Sequence, residues 1–351
     1  MNSRWAALFQ KNPAAEAPST FIIAEAGVNH NGSLDQALEM VEVAAQCEAD
    51  AVKFQTFRAD RLASAQAEKA HYQKQNTGDA ENQHAMLKSL ELSEEAHRAL
   101  IKRCQERDIL FLSTPFDEAS ADLLLHLGVK GYKLGSGDIT NLPLIQHLAR
   151  TGLPLILSTG MSTMPEVDEA VQAAREAGCH QLALLHCVTS YPSPAEESNL
   201  RVIPVLSQRY RVPAGFSDHT LGTHISVAAV AMGARIIEKH FTLDKALPGP
   251  DHLASATPDE LKLLVQKIRQ TESALGDGEK RVTPAERVNL AAGRRSLFWA
   301  ASLPTGTLPE AAHFICLRPA IGLAPKHLPT LIGRRLSRAV VQGQPVNMED
   351  F

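Results

Sequence analysis

Two hydrophobic periods alternate along the chain. Short apolar or β-branched runs fall at 21–25, 51–55, 109–113, 131–134, 155–158, 182–186, 212–217 and 236–240. Between them lie longer stretches, such as 33–49, 93–107, 165–177 and 223–232, whose apolar residues recur every three or four positions. The first pattern fits buried strands and the second amphipathic helices. Strand alternating with helix predicts a parallel sheet, and eight repeats predict its closure into an α/β (β/α)8 TIM barrel.

The polar residues fall where such a barrel would use them. The apolar runs end in, or are followed at once by, Glu25, Lys53 and Gln55, Thr114, Lys133 and Ser136, Ser158, His186, Ser217 with Asp218 and His219, and Glu238 with His240. All strand C-termini of a parallel barrel share one face, so residues more than 200 positions apart in sequence converge on one mouth. Each of these residues alone reads as a solvated loop side chain. Their repetition at eight strand ends points to an active site.

One connection, 58–92, is long and polar and carries His71-Tyr72-Gln73-Lys74-Gln75-Asn76-Thr77-Gly78-Asp79. On the catalytic face it reads as a lid or substrate loop. Past the eighth run a helix is expected from Thr257 to about Leu275, then linker-like residues at 276–280 and Thr283-Pro284. The expected division is a barrel domain at 1–280, a linker at 281–295 and a compact, loop-rich β module at 296–351. The 351 residues exceed by around a hundred the roughly 250 that a barrel needs. So small a module without disulfides barely supports its own core and is expected to dock on something.

Composition narrows the classes. A hydrophobic fraction of 44% with 21% charged residues is that of a globular chain, not a disordered one. Thirty-five basic against 39 acidic residues give −4, which offers no basic footprint for nucleic acid or an anionic membrane. An anionic substrate must then be caught by a local site. The five cysteines, Cys47, Cys104, Cys179, Cys187 and Cys316, are odd in number and lack C-x-x-C spacing, so they read as reduced core residues. The first eleven residues hold no apolar run of signal-peptide length, and no stretch reaches the ~18 apolar residues of a membrane span. A soluble, cytoplasmic protein is the expectation.

The chemistry-bearing segments cluster at the middle and last strands. Lys133-Leu134-Gly135-Ser136-Gly137-Asp138 and Ser158-Thr159-Gly160-Met161-Ser162 each follow an apolar run and precede a helix. Glycines let backbone approach an anion and hydroxyls donate to it, so with Lys53, Lys133 and Thr114 these segments suggest a phosphate or carboxylate cradle. His219 and His240 follow neighbouring strands and could hold a borderline divalent metal with open positions. Asp218 and Asp251 could orient them. His71, His84, His97, His126, His147, His180, His313 and His327 read as surface residues. Glu25 and Glu238 fit acid–base work or stabilisation of a cationic centre, paired with Lys53 or Lys133; a plain ion pair at the barrel rim is the structural alternative.

Residues 21–32, the Lys133 and Ser158 segments, His186-Cys187 through Tyr191-Pro192, 215–220, 238–242 and Pro248-Gly249-Pro250-Asp251 together resemble the bacterial sialic acid synthase family, over nearly the whole chain. The resemblance implies a small β-rich antifreeze-like domain (SAF, β-clip) from about Ser296. It implies condensation of phosphoenolpyruvate with an open-chain N-acylhexosamine, N-acetylmannosamine or a 2,4-diacetamido-2,4,6-trideoxyhexose. Carried over by position, it assigns phosphoenolpyruvate binding to Lys53, Thr114, Lys133, Ser136, Ser158 and Ser217, and a manganese or magnesium ion to His219 and His240. It assigns the sugar side to Glu25, Tyr191 and Asp251, with Glu238 at the reacting centre. It also implies a domain-swapped homodimer in which Arg318 reaches across to the N-acyl group. Thr189 departs from an Asn of some family members, and Tyr72-Gln73-Lys74 resembles the sialic and legionaminic branch more than the pseudaminic one. Two other readings fit the same residues. One is a Schiff-base aldolase using Lys53 or Lys133, the other a non-catalytic sugar-binding protein.

Overall fold

A computed structural model describes residues 3–10, 19–78 and 80–351. The chain forms two compact units, Met1–Asp277 and Gly278–Phe351. In the first, eight strands follow one another: β1 (Phe21–Gly27), β2 (Ala51–Thr56), β3 (Leu110–Pro115), β4 (Tyr132–Leu134), β5 (Leu155–Ser158), β6 (Leu182–Cys187), β7 (Ala214–Asp218) and β8 (Ile236–His240). Their ladders are parallel and run β3-β2-β1-β8-β7-β6-β5-β4, with β3 and β4 side by side closing the ring. This is the (β/α)8 barrel that the alternating periods predict.

Side-chain alternation along each strand builds two cores. Ile22, Ala24, Val52, Phe54, Leu184, Phe216 and Ile237 point outward and pack with Met40, Leu100, Leu261 and Ile268 of the surrounding helices. Phe21, Ile23, Ala51, Leu112, Ile156, Ala183, Leu185 and Ile236 fill the interior of the barrel near the strand N-termini. A helix at Ser3–Leu8, which the apolar pattern did not indicate, adds Trp5 and Leu8 to this interior cluster, with the Trp5 ring 5.3 Å from Phe21. Burying each such large side chain stabilises by roughly 1.5–3 kcal/mol, so a rigid frame lies beneath the mouth.

The helices start where cap residues permit. The Ser33 side chain accepts from Gln36 N at 3.3 Å to open Leu34–Gln46, and Thr257 with Glu260 forms a capping box ahead of Pro258–Leu275. The long connection after β2 is helical where a loop was expected, with turns at Ala59–Leu62, His71–Thr77 and Gln83–Ser89. These helices are too short for a periodic signal to stand out. Met86 and Leu90 pack with Val28 and Phe57 as a small separate cluster. Asp79 of the quoted stretch lies outside the described residues. Among the described residues no helix is long and apolar enough to cross a membrane.

In the second unit, the segment expected as linker carries two single-turn helices, Pro284–Arg287 and Leu290–Gly293. Beyond it β9 (Ser296–Trp299) and β10 (Phe314–Leu317) pair antiparallel. Leu297, Trp299, Phe314, Leu331, Leu336, Val340 and Val346 make a small core. Trp299 Nε1 donates to Asp350 Oδ2 at 3.1 Å, and Arg338 Nε donates to Asp350 Oδ1 at 2.8 Å.

Candidate active site

The alternation that makes the barrel core also selects what reaches the mouth. Along each strand the inward positions change from apolar to polar toward the C-terminus: Ile23 then Glu25, Ala51 then Lys53, Leu112 then Thr114, Ile156 then Ser158, Ile236 then Glu238 and His240. Of the sequence-derived candidates, Glu25, Lys53, Thr114, Lys133, Ser136, Ser158, Tyr191, Ser217, His219, Glu238 and His240 line one cavity of about 170 Å³. Asp251 is buried beside it, close enough to Tyr72 and His219 to interact electrostatically with both. Arg318 belongs to the second unit, where it is exposed.

The charged groups form one buried network. Lys133 Nζ donates to Glu238 Oε1 at 2.9 Å, and Ser217 Oγ donates to the same oxygen at 3.0 Å. Lys53 Nζ sits 2.7 Å from Glu25 Oε2 and 3.8 Å from Glu238 Oε2, and donates to Thr114 Oγ1 at 3.1 Å. The register explains this, because Glu25 stands opposite Lys53 on β2 and opposite His240 on β8. The two carboxyls are pushed in opposite directions. Burial raises that of Glu25 to about 7, the pull of Lys53 notwithstanding, and the charge of Glu238 adds to the rise. Burial would raise Glu238 as well, but Lys133 and Lys53 overcome it and hold that carboxyl at about 2. Burial lowers the Lys133 ammonium's pKa, but the two carboxylates outweigh this and the net shift is upward. A lysine held as an ammonium binds anions and lacks the lone pair that Schiff-base chemistry requires.

Between β4 and β5 the cavity wall is made of small and hydroxyl-bearing residues, Gly135, Ser136, Gly137 and Ser158. Gly160 N donates to Ser136 Oγ at 2.9 Å, and Ser158 Oγ is buried with no hydrogen-bond partner. A Cβ at Gly160 would stand 2.4 Å from Thr189 Oγ1 and 2.7 Å from Ser136 Oγ, so only glycine brings the backbone this close.

The two imidazoles lie with ring centroids 5.5 Å apart. His219 Nδ1 lies 2.8 Å from Val188 O, which turns Nε2 away from the backbone, whereas His240 Nδ1 is buried with no partner. Burial, with the neighbouring His219, keeps His240 neutral well below the ordinary imidazole value. Among the described residues no group of three or more His, Cys, Asp or Glu has metal-holding geometry. The feature here that fits a divalent ion is the unpartnered His240 Nδ1 beside the His219 ring, two imidazoles that would leave its other positions to water and substrate. Tyr191 covers them, its ring 4.2 Å from His219 and 5.7 Å edge-on to His240.

Three expectations need correction. His186 is one residue out of phase with the inward set, so it faces outward and Nε2 contacts Ser198 O at 2.8 Å. Asp218 is out of phase likewise. It pairs with Lys239 at 3.0 Å and accepts from Thr220 N at 2.8 Å, so it fixes the loop that carries His219 without bonding either imidazole. His97 is buried, its Nε2 2.8 Å from Thr56 Oγ1, rather than on the surface. Cys187, Thr189 and Phe116 line the cavity without having been singled out as site residues. For Cys187 the signal was present, since it follows Leu185 by two on β6.

A buried lysine–carboxylate network, a wall of glycines and serines and two imidazoles meet at the C-terminal face of a (β/α)8 barrel, the face on which enzymes of this fold build their active sites. The chain belongs to the NeuB family, whose model matches residues 40–280. It is 47% identical over 335 residues to the N,N'-diacetyllegionaminic acid synthase of Legionella pneumophila, covering 94% of each chain. To the synthase of the same name from Campylobacter jejuni it is 45% identical, over 90% of this chain and 95% of the other. Among solved structures it resembles the N-acetylneuraminic acid synthetase of Leptospira borgpetersenii in complex with citrate, with TM-score 0.69 and 36% identity over 78% of this chain and 90% of that one.

Proposed function

We propose that this chain condenses phosphoenolpyruvate with the open-chain form of a 2,4-diacetamido-2,4,6-trideoxyhexose, giving a nine-carbon 2-keto acid and inorganic phosphate. The observation that carries the reading is the Glu238 carboxylate, bonded to Lys133 and Ser217 and 3.8 Å from Lys53, beside the unpartnered Ser158 hydroxyl and His240 imidazole. The choice of sugar rests on the two relatives named for N,N'-diacetyllegionaminic acid.

Lys133, Ser136, Ser158 and Ser217 bind the phosphate and carboxylate of phosphoenolpyruvate, with Lys53 and Thr114 closing the far side of the cradle. Tyr191 and Asp251 orient the sugar so that its aldehyde carbon faces C3 of the enolpyruvate. Manganese or magnesium, held by His219 and His240, supplies Lewis-acid polarisation of the aldehyde oxygen when bound. As the C3–aldehyde bond forms, C2 becomes oxocarbenium-like, and the Glu238 carboxylate stabilises that charge. Glu25, whose Oε2 lies 2.7 Å from Lys53 Nζ, protonates the nascent alkoxide. Water then adds at C2, giving one proton back to the Glu25 carboxylate, and as the C2–O bond to phosphate breaks the phosphate leaves with the hydroxyl proton while the C2 ketone forms. In a domain-swapped homodimer, Arg318 of the partner subunit completes the site at the N-acyl group.

The test is phosphate release by the purified chain with manganese, phosphoenolpyruvate and a panel of N-acylhexosamines. Release that needs both substrates is expected, fastest with the diacetamido sugar. Solvent oxygen label should enter the keto acid and not the phosphate. Release without a sugar, or label in phosphate, overturns the reading.

A further inference from the structure

The helix His71–Thr77 has no fully buried residue and none of its side chains lines the cavity, yet it is tied to the mouth at two points. The Tyr72 ring lies 4.9 Å from the Tyr191 ring, tilted by 30°. Four residues on, and so on the same helix face, Asn76 Nδ2 donates to Pro250 O at 2.6 Å. Tyr191 thus has two rings tilted against it, Tyr72 at 4.9 Å and His219 at 4.2 Å. Pro250 immediately precedes Asp251. One short helix of the insertion thus braces the loops after β6 and after β8, which carry Tyr191 and Asp251, the residues proposed above to orient the sugar. The phosphoenolpyruvate side is different. Lys133, Ser158 and Ser217 stand on strands fixed by the barrel ladders and need no support from the insertion.

We infer that Tyr72 is a positioning residue for the acceptor sugar: stacked on Tyr191, and with Asn76 anchoring the helix to Pro250, it holds the sugar wall of the mouth in place while leaving phosphoenolpyruvate binding untouched. The inference rests on the condensation proposed above. Tyr191 hangs from a loop, and without a second plate behind it the ring is free to leave the His219 face. The Tyr72 ring lies against Tyr191 and its hydroxyl is within hydrogen-bonding reach of the Asp251 carboxyl, so this one side chain touches both residues that orient the sugar.

The experiment is steady-state kinetics of the manganese-loaded full chain, varying each substrate in turn, on Tyr72→Ala, Tyr72→Phe and Asn76→Ala. Tyr72→Ala should raise KM for the sugar about tenfold, the upper end of what one aromatic pair contributes, with KM for phosphoenolpyruvate within about twofold of wild type. Tyr72→Phe, which keeps the ring but loses the hydroxyl facing Asp251, should recover most of that rise, and Asn76→Ala should raise the sugar KM in the same direction by a smaller factor. An unchanged sugar KM in Tyr72→Ala overturns the inference, as does a parallel rise in both KM values or failure of Tyr72→Phe to recover most of the rise. Should Tyr72→Ala not fold, an Asn76→Ala enzyme with wild-type sugar KM overturns it alone. Wild-type enzyme without sugar-dependent phosphate release would instead defeat the proposed condensation, so the two failures are distinct.

Discussion

Replacing Lys133 by Met removes the nearest cation from a carboxylate that is almost wholly desolvated. Glu238 is 2% exposed, and its Oε1 accepts from Lys133 at 2.9 Å and from Ser217 at 3.0 Å. The remaining cation, Lys53, stands 3.8 Å from Oε2 and is already engaged with Glu25 at 2.7 Å. Breaking one partner out of a buried pair costs about 3–5 kcal/mol, because the surviving charge is left desolvated. For a domain this large each kcal/mol lowers Tm by about 2–4 °C, so Lys133→Met should lose roughly 6–20 °C. Glu238→Gln keeps the shape and still accepts from Ser217. The double variant, with neither charge, should therefore recover part of the loss, with a coupling above about 1.5 kcal/mol. The assay is urea unfolding in EDTA, followed by circular dichroism of the barrel helices, for the wild type, both single variants and the double. Additive losses, or a Lys133→Met cost below about 1 kcal/mol, would refute the assignment of this pair as a fully desolvated charge couple.

Other consequences follow from the same geometry. Because burial raises the Glu25 carboxyl from 4.5 to about 7, the native state holds a proton that the unfolded chain releases. Its stability contribution is present below pH 4.5 and lost as pH rises through about 7, so Glu25→Gln should flatten the fall in unfolding free energy across that window in pH-dependent urea melts. Asn29 Nδ2 bonds both Phe241 O at 2.8 Å and Ser255 Oγ at 2.9 Å, holding the chain after β8; Asn29→Ala should cost about 1–3 kcal/mol in denaturant unfolding. A Cβ at Gly215 would stand 2.2 Å from Ile236 O, so Gly215→Ala should force β7 from β8 and lower the yield of soluble protein sharply. His240→Ala should abolish tight manganese binding measured by the electron paramagnetic resonance of free Mn²⁺, and retained binding would remove this residue from the cation site.

Much of this architecture is legible without coordinates because it follows from periodicity. Glu25, Lys53, Ser158 and Glu238 stand out as polar residues toward the C-terminal part of apolar runs, and the closed parallel sheet brings those positions together. Periodicity also sorts the residues at the strand ends. Applied at two-residue spacing, it separates inward Cys187 and Ser217 from outward His186 and Asp218. The insertion after β2 was opaque for the opposite reason: its helices are one or two turns long and hold one side of a surface, so no apolar stripe marks them.

The barrel, the face that bears the site and most of the residues that meet there are written along the chain, since strand ends and alternation are local properties. Which lysine serves which carboxylate is set by the folded structure, because it depends on register between strands: Lys53 beside Glu25, and Lys133 reaching Glu238 across the mouth. The folded structure alone stacks Tyr72 on Tyr191, more than a hundred residues apart, because two loops from different strand ends meet above the barrel where no local pattern reports on the encounter.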